Sequence, residues 1–239
     1  MIATIVNALL ILAGSMLGIV LRGRLSAALS LRLTQALGLC VLVIGMQSAV
    51  GSQDLLCVIV CMVLGTLLGE ALGIEDRLDS VGELLRRTLA RKGENSQFTQ
   101  GFVSASVLFC VGSMAIMGSL EAGLNQNYTI LISKGVIDGV TAITLAASFG
   151  VGVACSALPL LLYQGGLTLL SSAVGPLLAG QAASIAALSA VGGVVIVGIA
   201  FNMLQLSDQK IRVGNMLPAV FLPFLYTPLV QWVQAWFPA

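Results

Sequence analysis

The sequence predicts an all-α protein, a polytopic transmembrane helical bundle of about eight segments, seven or eight of them spans. Three observations carry that expectation. Hydrophobic residues make up 58% of the 239 and charged residues 9%, with a mean hydropathy of +1.03, a balance that a water-facing domain does not sustain. Apolar runs of roughly the 20 residues that cross a bilayer as a helix recur from end to end. The charges between them are gathered into a few links, so residues 1–239 read as a single integral membrane domain with the lipid bilayer as its first partner.

Ile2–Leu21 is the first run. It has no basic leader and no small-x-small cleavage pattern, so it is expected to stay as a span. Gly14 and Gly18 fall on one of its faces, where another helix backbone can approach closely, and Asn7 is a polar group in need of a partner. Leu33–Val50 and Leu55–Leu72 are joined by the tight Gly51-Ser52-Gln53-Asp54 link, which makes them antiparallel neighbours. Glu70 closes the third run as an interface marker, because the chain turns polar at Glu75-Asp76-Arg77. Ile74, Leu78, Val81, Leu85 and Leu89 then recur at helical spacing among charges. That pattern is an amphipathic helix, too polar to span, and with the basic loop after it forms a cytoplasmic element over residues 74–97. The remaining runs are Phe98–Leu120, Tyr128–Val153, Ala154–Leu178, Ser184–Met203 and Val213–Trp236. Pro159, Gln164, Gly165 and Gly166 interrupt the sixth span, and Trp232 and Trp236 close the eighth as interfacial anchors.

Loop charge sets an orientation. With eight spans and the amino terminus outside, the inner links hold Arg22, Arg24, Arg32, Arg77, Arg86, Arg87, Arg91, Lys92, Lys210 and Arg212, leaving only Lys134 of the eleven Lys and Arg residues. The positive-inside rule then puts both termini outside the cytoplasm. A likeness between Leu37–Met46 and Val191–Ile199 sets spans one to three against spans six to eight, five crossings apart and oppositely directed. That is the plan of an inverted repeat, which in secondary transporters places a site on broken helices near the midplane.

Composition also excludes. There is no His, which removes imidazole metal sites, histidine bases and Ser-His-Asp triads, and neither a metal nor a cofactor is expected. A net charge of +1 without a binding motif argues against nucleic acid. Cys40, Cys57, Cys61, Cys110 and Cys155 fall in apolar runs without a CxxC pair and read as buried, reduced thiols.

Candidate functional residues concentrate between Phe98 and Gly152. Gly112, Ser113, Met114, Gly118 and Ser119 place small residues where a helix can either pack tightly or open and free backbone groups for a polar ligand. Glu121 follows, and Lys134 and Asp138 sit four residues apart on one helical face inside an apolar run, with Thr141 beyond. Lys134 can snorkel outward or serve in a structural pair; Asp138, about a turn deeper, cannot escape so easily.

The runs Phe109-Cys110-Val111-Gly112-Ser113-Met114-Ala115-Ile116-Met117-Gly118-Ser119, Lys134 with Asp138-Gly139, Gly150-Val151-Gly152-Val153, Tyr163-Gln164-Gly165 and Asn215-Met216-Leu217-Pro218 resemble the YqgA/YdfK-like bacterial membrane family, defined by a domain of unknown function. The resemblance covers essentially the whole chain. It implies a multi-pass protein of the bacterial inner membrane, transfers no activity, and adds Gln164 to the candidates.

Three functions compete on this reading. A transporter of an ion or small polar metabolite is motivated by the intramembrane charges and glycine-broken helices, and a passive channel by the same residues. A membrane scaffold or partner-binding subunit is motivated by the amphipathic helix and by the Gly14 and Gly18 face, which also makes a homodimer feasible. A membrane enzyme has the least support, since no nucleophile and base stand together.

Overall fold

In a computed structural model, described over residues 1–22, 27–52, 54–89, 97–173, 180–206 and 209–236, the chain forms a bundle of helices, with no strand among the described residues. The first four are α1 (Ile2–Arg22), α2 (Ala27–Ala49), α3 (Leu55–Leu72) and α4 (Ile74–Leu89). The centre is α5 (Gln97–Cys110), α6 (Ser113–Leu124) and α7 (Thr129–Phe149), followed by the short α8 (Gly152–Cys155) and α9 (Ala157–Leu169). The chain ends with α10 (Ala182–Leu204), a 3-10 turn (Val213–Met216), α11 (Leu217–Phe221) and α12 (Pro223–Trp236). Arg24, Gln53, Arg91, Lys92, the Gly93-Glu94-Asn95-Ser96 loop and residues 174–178 of the expected sixth span lie outside the described residues.

Among the described residues, five spans are long and apolar enough to cross a membrane: α1, α3, α7, α8 with α9, and α10. The number rises to seven when two bent pairs count as one span each, α5 with α6 at 58° and the 3-10 turn and α11 with α12 at 42°. In α2 the apolar part is the shorter Thr34–Ala49. Rows of large apolar side chains face outward, among them Leu9, Met16 and Val20 on α1, Ile59, Val63 and Leu67 on α3, and Ile132, Val136 and Val140 on α7. Exposed on this scale, such rows require a hydrocarbon surround.

Small residues set the register of the bundle. A Cβ on Gly14 would stand 2.2 Å from the Gly139 carbonyl oxygen, and one on Gly18 would stand 2.2 Å from that of Ile143. Because the paired numbers rise together, α1 and α7 run parallel. The faces meeting at Gly45 and Gly193, and at Gly38 and Leu204, show α2 and α10 to be antiparallel. Gly65 against Ala219 and Gly69 against Asn215 do the same for α3 and the final span. Every one of these directions agrees with a chain that reverses at each of eight segments.

Some boundaries depart from the sequence expectation for identifiable reasons. The fifth span ends at Phe149 rather than Val153, because Gly150 takes φ +78° and ends the helix. The sixth is not interrupted within α9: Pro159 falls in the first turn of that helix, where its missing N–H costs nothing, and Gly165 packs toward Met1 and Thr4 of α1. Of the cysteines, Cys57 and Cys61 are buried, Cys110 and Cys155 half-buried, and Cys40 exposed on α2, so the expectation of buried thiols fails for Cys40. In α4, Leu78 packs on the core and Leu84 faces outward, while the side chains of Val81, Leu85 and Leu89 lie outside those described.

Candidate functional site

The fourth span opens at Gly112. That residue holds φ +140° and ψ 151°, a conformation essentially confined to glycine, and it separates α5 from α6. A Cβ there would meet nothing within 4 Å, so the backbone angle and not crowding selects glycine. Opening a helix inside an apolar bundle leaves carbonyls at the end of one half and amides at the start of the other. Lys134 answers the first set, donating from Nζ to the Phe109 carbonyl oxygen at 2.7 Å. At the start of α6 the N-cap residue is Gly112 itself, which brings no capping side chain.

Lys134 therefore turns into the protein instead of snorkelling. Lys134 and Asp138 are each 6% exposed, and they pair through Nζ and Oδ2. Asn7 of α1 donates to the same Oδ2 at 3.0 Å and to Oε1 of Gln164 at 3.2 Å, tying α1, α7 and α9 together. Thr168 and Ser119 donate to the Gln164 carbonyl oxygen at 2.8 and 3.3 Å, and Thr4 meets Thr168 at 3.5 Å. Hydrogen bonding in this cluster is incomplete. Asn7 Oδ1 and Gln164 Nε2, both on fully buried residues, find no partner, and Asp138 Oδ1 accepts nothing from the described residues.

Beside this cluster lies a half-open cavity of about 250 Å³, lined by α2, α5, α6, α7 and α10. Lys134, Asp138 and Thr141 line it from α7, Gly112 and Met114 from the break, and Ser48 and Ser189 from α2 and α10. The structure thus gathers five of the sequence candidates, Gly112, Met114, Lys134, Asp138 and Thr141, at one cavity. Ser119 and Gln164 stand behind it, reached through Asn7. Gly118 is a packing residue, where a Cβ would come within 2.7 Å of Leu131. Glu121 lies away from the cavity and accepts from Asn125 at 3.2 Å, and the side chain of Ser113 lies outside those described. Sequence reasoning flagged Asn7 as needing a partner without joining it to the site. It had no signal for Ser48, Ser189, Thr4 or Thr168, which are ordinary hydroxyls in apolar runs.

A second polar cluster closes one end of the bundle. Glu75 Oε2 accepts from the Gly214 N–H at 2.6 Å, Oε1 meets Lys210 at 3.5 Å, and the Glu75 N–H donates to Asn215 Oδ1 at 2.7 Å. Asn215 Nδ2 donates to Glu70, which also meets Arg212 at 3.5 Å. Glu70 is thus a clasp residue as well as the end of its span. Arg22 donates to Gln97, joining the end of α1 to the start of α5.

Apolar spans around a buried ion pair, a broken helix and a cavity define a polytopic helical membrane protein with a polar interior site. The chain matches, over residues 2–227, the model of a family described as a protein of unknown function (DUF554), and it belongs to that family. It is similar to the uncharacterized membrane protein YdfK of Bacillus subtilis (strain 168), with 31% identity over 231 residues covering 93% of this chain and 94% of the relative. It is likewise similar to the uncharacterized protein YqgA of Escherichia coli (strain K12), with 30% identity over 239 residues and 99% of each chain covered. No solved structure matches.

Proposed function

We propose that this protein is a transporter of the bacterial inner membrane, carrying an ion or small polar solute through the cavity at the Gly112 break, and that it is not an enzyme. The observation that carries this reading is the incomplete ion pair: Lys134 and Asp138 face a cavity of about 250 Å³, and Asp138 Oδ1 has no partner among the described residues. Charges at membrane depth are costly, and they recur where they pair or line a path. The direction of packing supports an inverted plan. Parallel α1 and α7 have a counterpart in α6 and α9, which meet at Ser119 with Gln164 and at Gly123 with Thr168, while α1 and α9 are antiparallel. Both termini are assigned outside the cytoplasm on the charge of the links.

The test is flux into proteoliposomes containing purified protein. Wild type is expected to show slow, saturable uptake of a small solute, and Asp138→Asn to insert and purify normally while losing it. Full uptake by the Asp138→Asn variant sinks the proposal, and continuous ohmic conductance in a bilayer recording replaces it with a channel.

A further inference from the structure

The cavity carries one positive and one negative side chain, Lys134 and Asp138, and no other ionisable group among its lining residues. A simple ion of either sign brought into it meets an attracting charge and a repelling one side by side. A cation beside Asp138 stands next to the Lys134 ammonium, which already occupies the place where a metal ion would bridge the carboxylate and the Phe109 carbonyl oxygen. An anion beside Lys134 stands next to the carboxylate. In a poorly screened interior such mixed contacts leave a single charge with little net gain for the hydration it gives up.

The unfilled hydrogen-bonding positions have two poles. One is an acceptor, Asp138 Oδ1, on a side chain 9% exposed whose other oxygen is already committed to Lys134 and Asn7. The other is a set of donors. Lys134 has three N–H bonds and uses two, on Phe109 and Asp138. The uncapped start of the 12-residue α6 adds the first-turn amides of Ser113 and Met114, with the positive end of its dipole at the cavity wall. From these two poles we infer that the cavity binds a small zwitterion, an amino-acid-like solute whose ammonium meets Asp138 Oδ1 and whose carboxylate meets Lys134 and the start of α6. This inference rests on the transport reading for its purpose and on the cavity alone for its chemistry. A zwitterion leaves the site electrically neutral and gives each buried charge a new partner instead of a competitor. Ser48 of α2 and Ser189 of α10, which also line the cavity, have hydroxyls that suit polar parts of such a solute.

The test is binding by purified full-length protein in detergent, by thermal shift and calorimetry. The probes are the twenty α-amino acids, β-alanine and γ-aminobutyrate, with propionate, propylamine, sodium and chloride as single-charge controls. The expected result is that at least one zwitterion binds and that its deaminated and decarboxylated analogues bind about tenfold more weakly or worse, each having lost one charge-assisted contact. Asp138→Asn should lose the discrimination against propionate, whereas Glu121→Gln, away from the cavity, should keep it. Equal binding by single-charge controls overturns the inference, as does binding by none of the zwitterions. Proteoliposome flux separates this failure from that of the transport reading. Asp138-dependent uptake of a singly charged solute keeps transport and removes the zwitterion; no uptake and no binding of any probe removes both; zwitterion binding without uptake keeps the site and removes transport.

Discussion

Two polar clusters in this molecule use the same materials to different ends. At one end of the bundle Glu75, Asn215, Glu70, Lys210 and Arg212 clasp the start of α4 to the 3-10 turn, and both Glu75 oxygens and both sides of the Asn215 amide are engaged. In the interior, Lys134, Asp138, Asn7 and Gln164 join α1, α7 and α9 yet leave the buried Asn7 Oδ1 and Gln164 Nε2 without partners among the described residues, and Asp138 Oδ1 open beside a cavity. A buried polar group left unbonded costs about 1–3 kcal/mol. A cluster that exists only to hold helices together has every reason to be complete, as the first is. The second tolerates open positions in a far more apolar setting, and this difference is the reason for assigning it the work.

The largest expected effect comes from breaking the interior pair on one side. Asp138→Leu leaves the Lys134 ammonium buried with only the Phe109 carbonyl, which should lower stability by about 3–5 kcal/mol, while the double change Lys134→Met with Asp138→Leu should recover most of that loss. Both variants should fail in flux. Equal thermal stability of the single and double variants would show that the pair is not coupled, and flux in the double variant would reduce it to a structural bridge.

The clasp should respond in the opposite sense. Asn215→Ala removes the acceptor of the Glu75 N–H and a donor to Glu70, at an expected cost of about 1–3 kcal/mol in unfolding, and flux per folded molecule should be unchanged. A large loss of flux at full stability would transfer function to the end of the bundle and erase the contrast between the two clusters.

How far the sequence foretold these regions follows from what each depends on. The spans were legible because hydrocarbon imposes length and apolarity on every helix: Leu55–Leu72 and the amphipathic Ile74–Leu89 coincide with α3 and α4. Lys134 and Asp138 were legible because charge in an apolar run is conspicuous. The partners were not. Asn7 lies 131 residues from Asp138 and 157 from Gln164, and no local pattern brings such residues together. Gly112 was visible as a glycine, but nothing nearby distinguishes a glycine that opens a helix from Gly118, which packs on Leu131. That distinction belongs to the backbone angle.

Gly112 therefore offers a milder test of the same contrast. Gly112→Ala meets no steric neighbour, so its effect is the cost of the φ +140° conformation alone, about 1–3 kcal/mol, with a partial loss of flux as the break relaxes toward a continuous helix. Gly118→Ala instead pushes a Cβ toward Leu131 and should lower stability while sparing flux. Identical behaviour of the two variants would mean that the break is not part of the site.

The smallest effect is expected at Glu121, and it sharpens the boundary of the site. The sequence places this carboxylate within the same stretch as Gly112 and Asp138, but the structure sets it away from the cavity, holding Asn125 at 3.2 Å near the end of α6. Glu121→Gln keeps the shape and an acceptor for Asn125, so stability should change by about half a kcal/mol at most and flux should match the wild type. Asp138→Asn is the same chemical change, carboxylate to amide, made where the second oxygen is unbonded and the ion partner is buried. Loss of flux in Asp138→Asn beside full activity in Glu121→Gln would locate function by geometry instead of by charge. Loss in both would mean that the path extends from the cavity to the far end of α6.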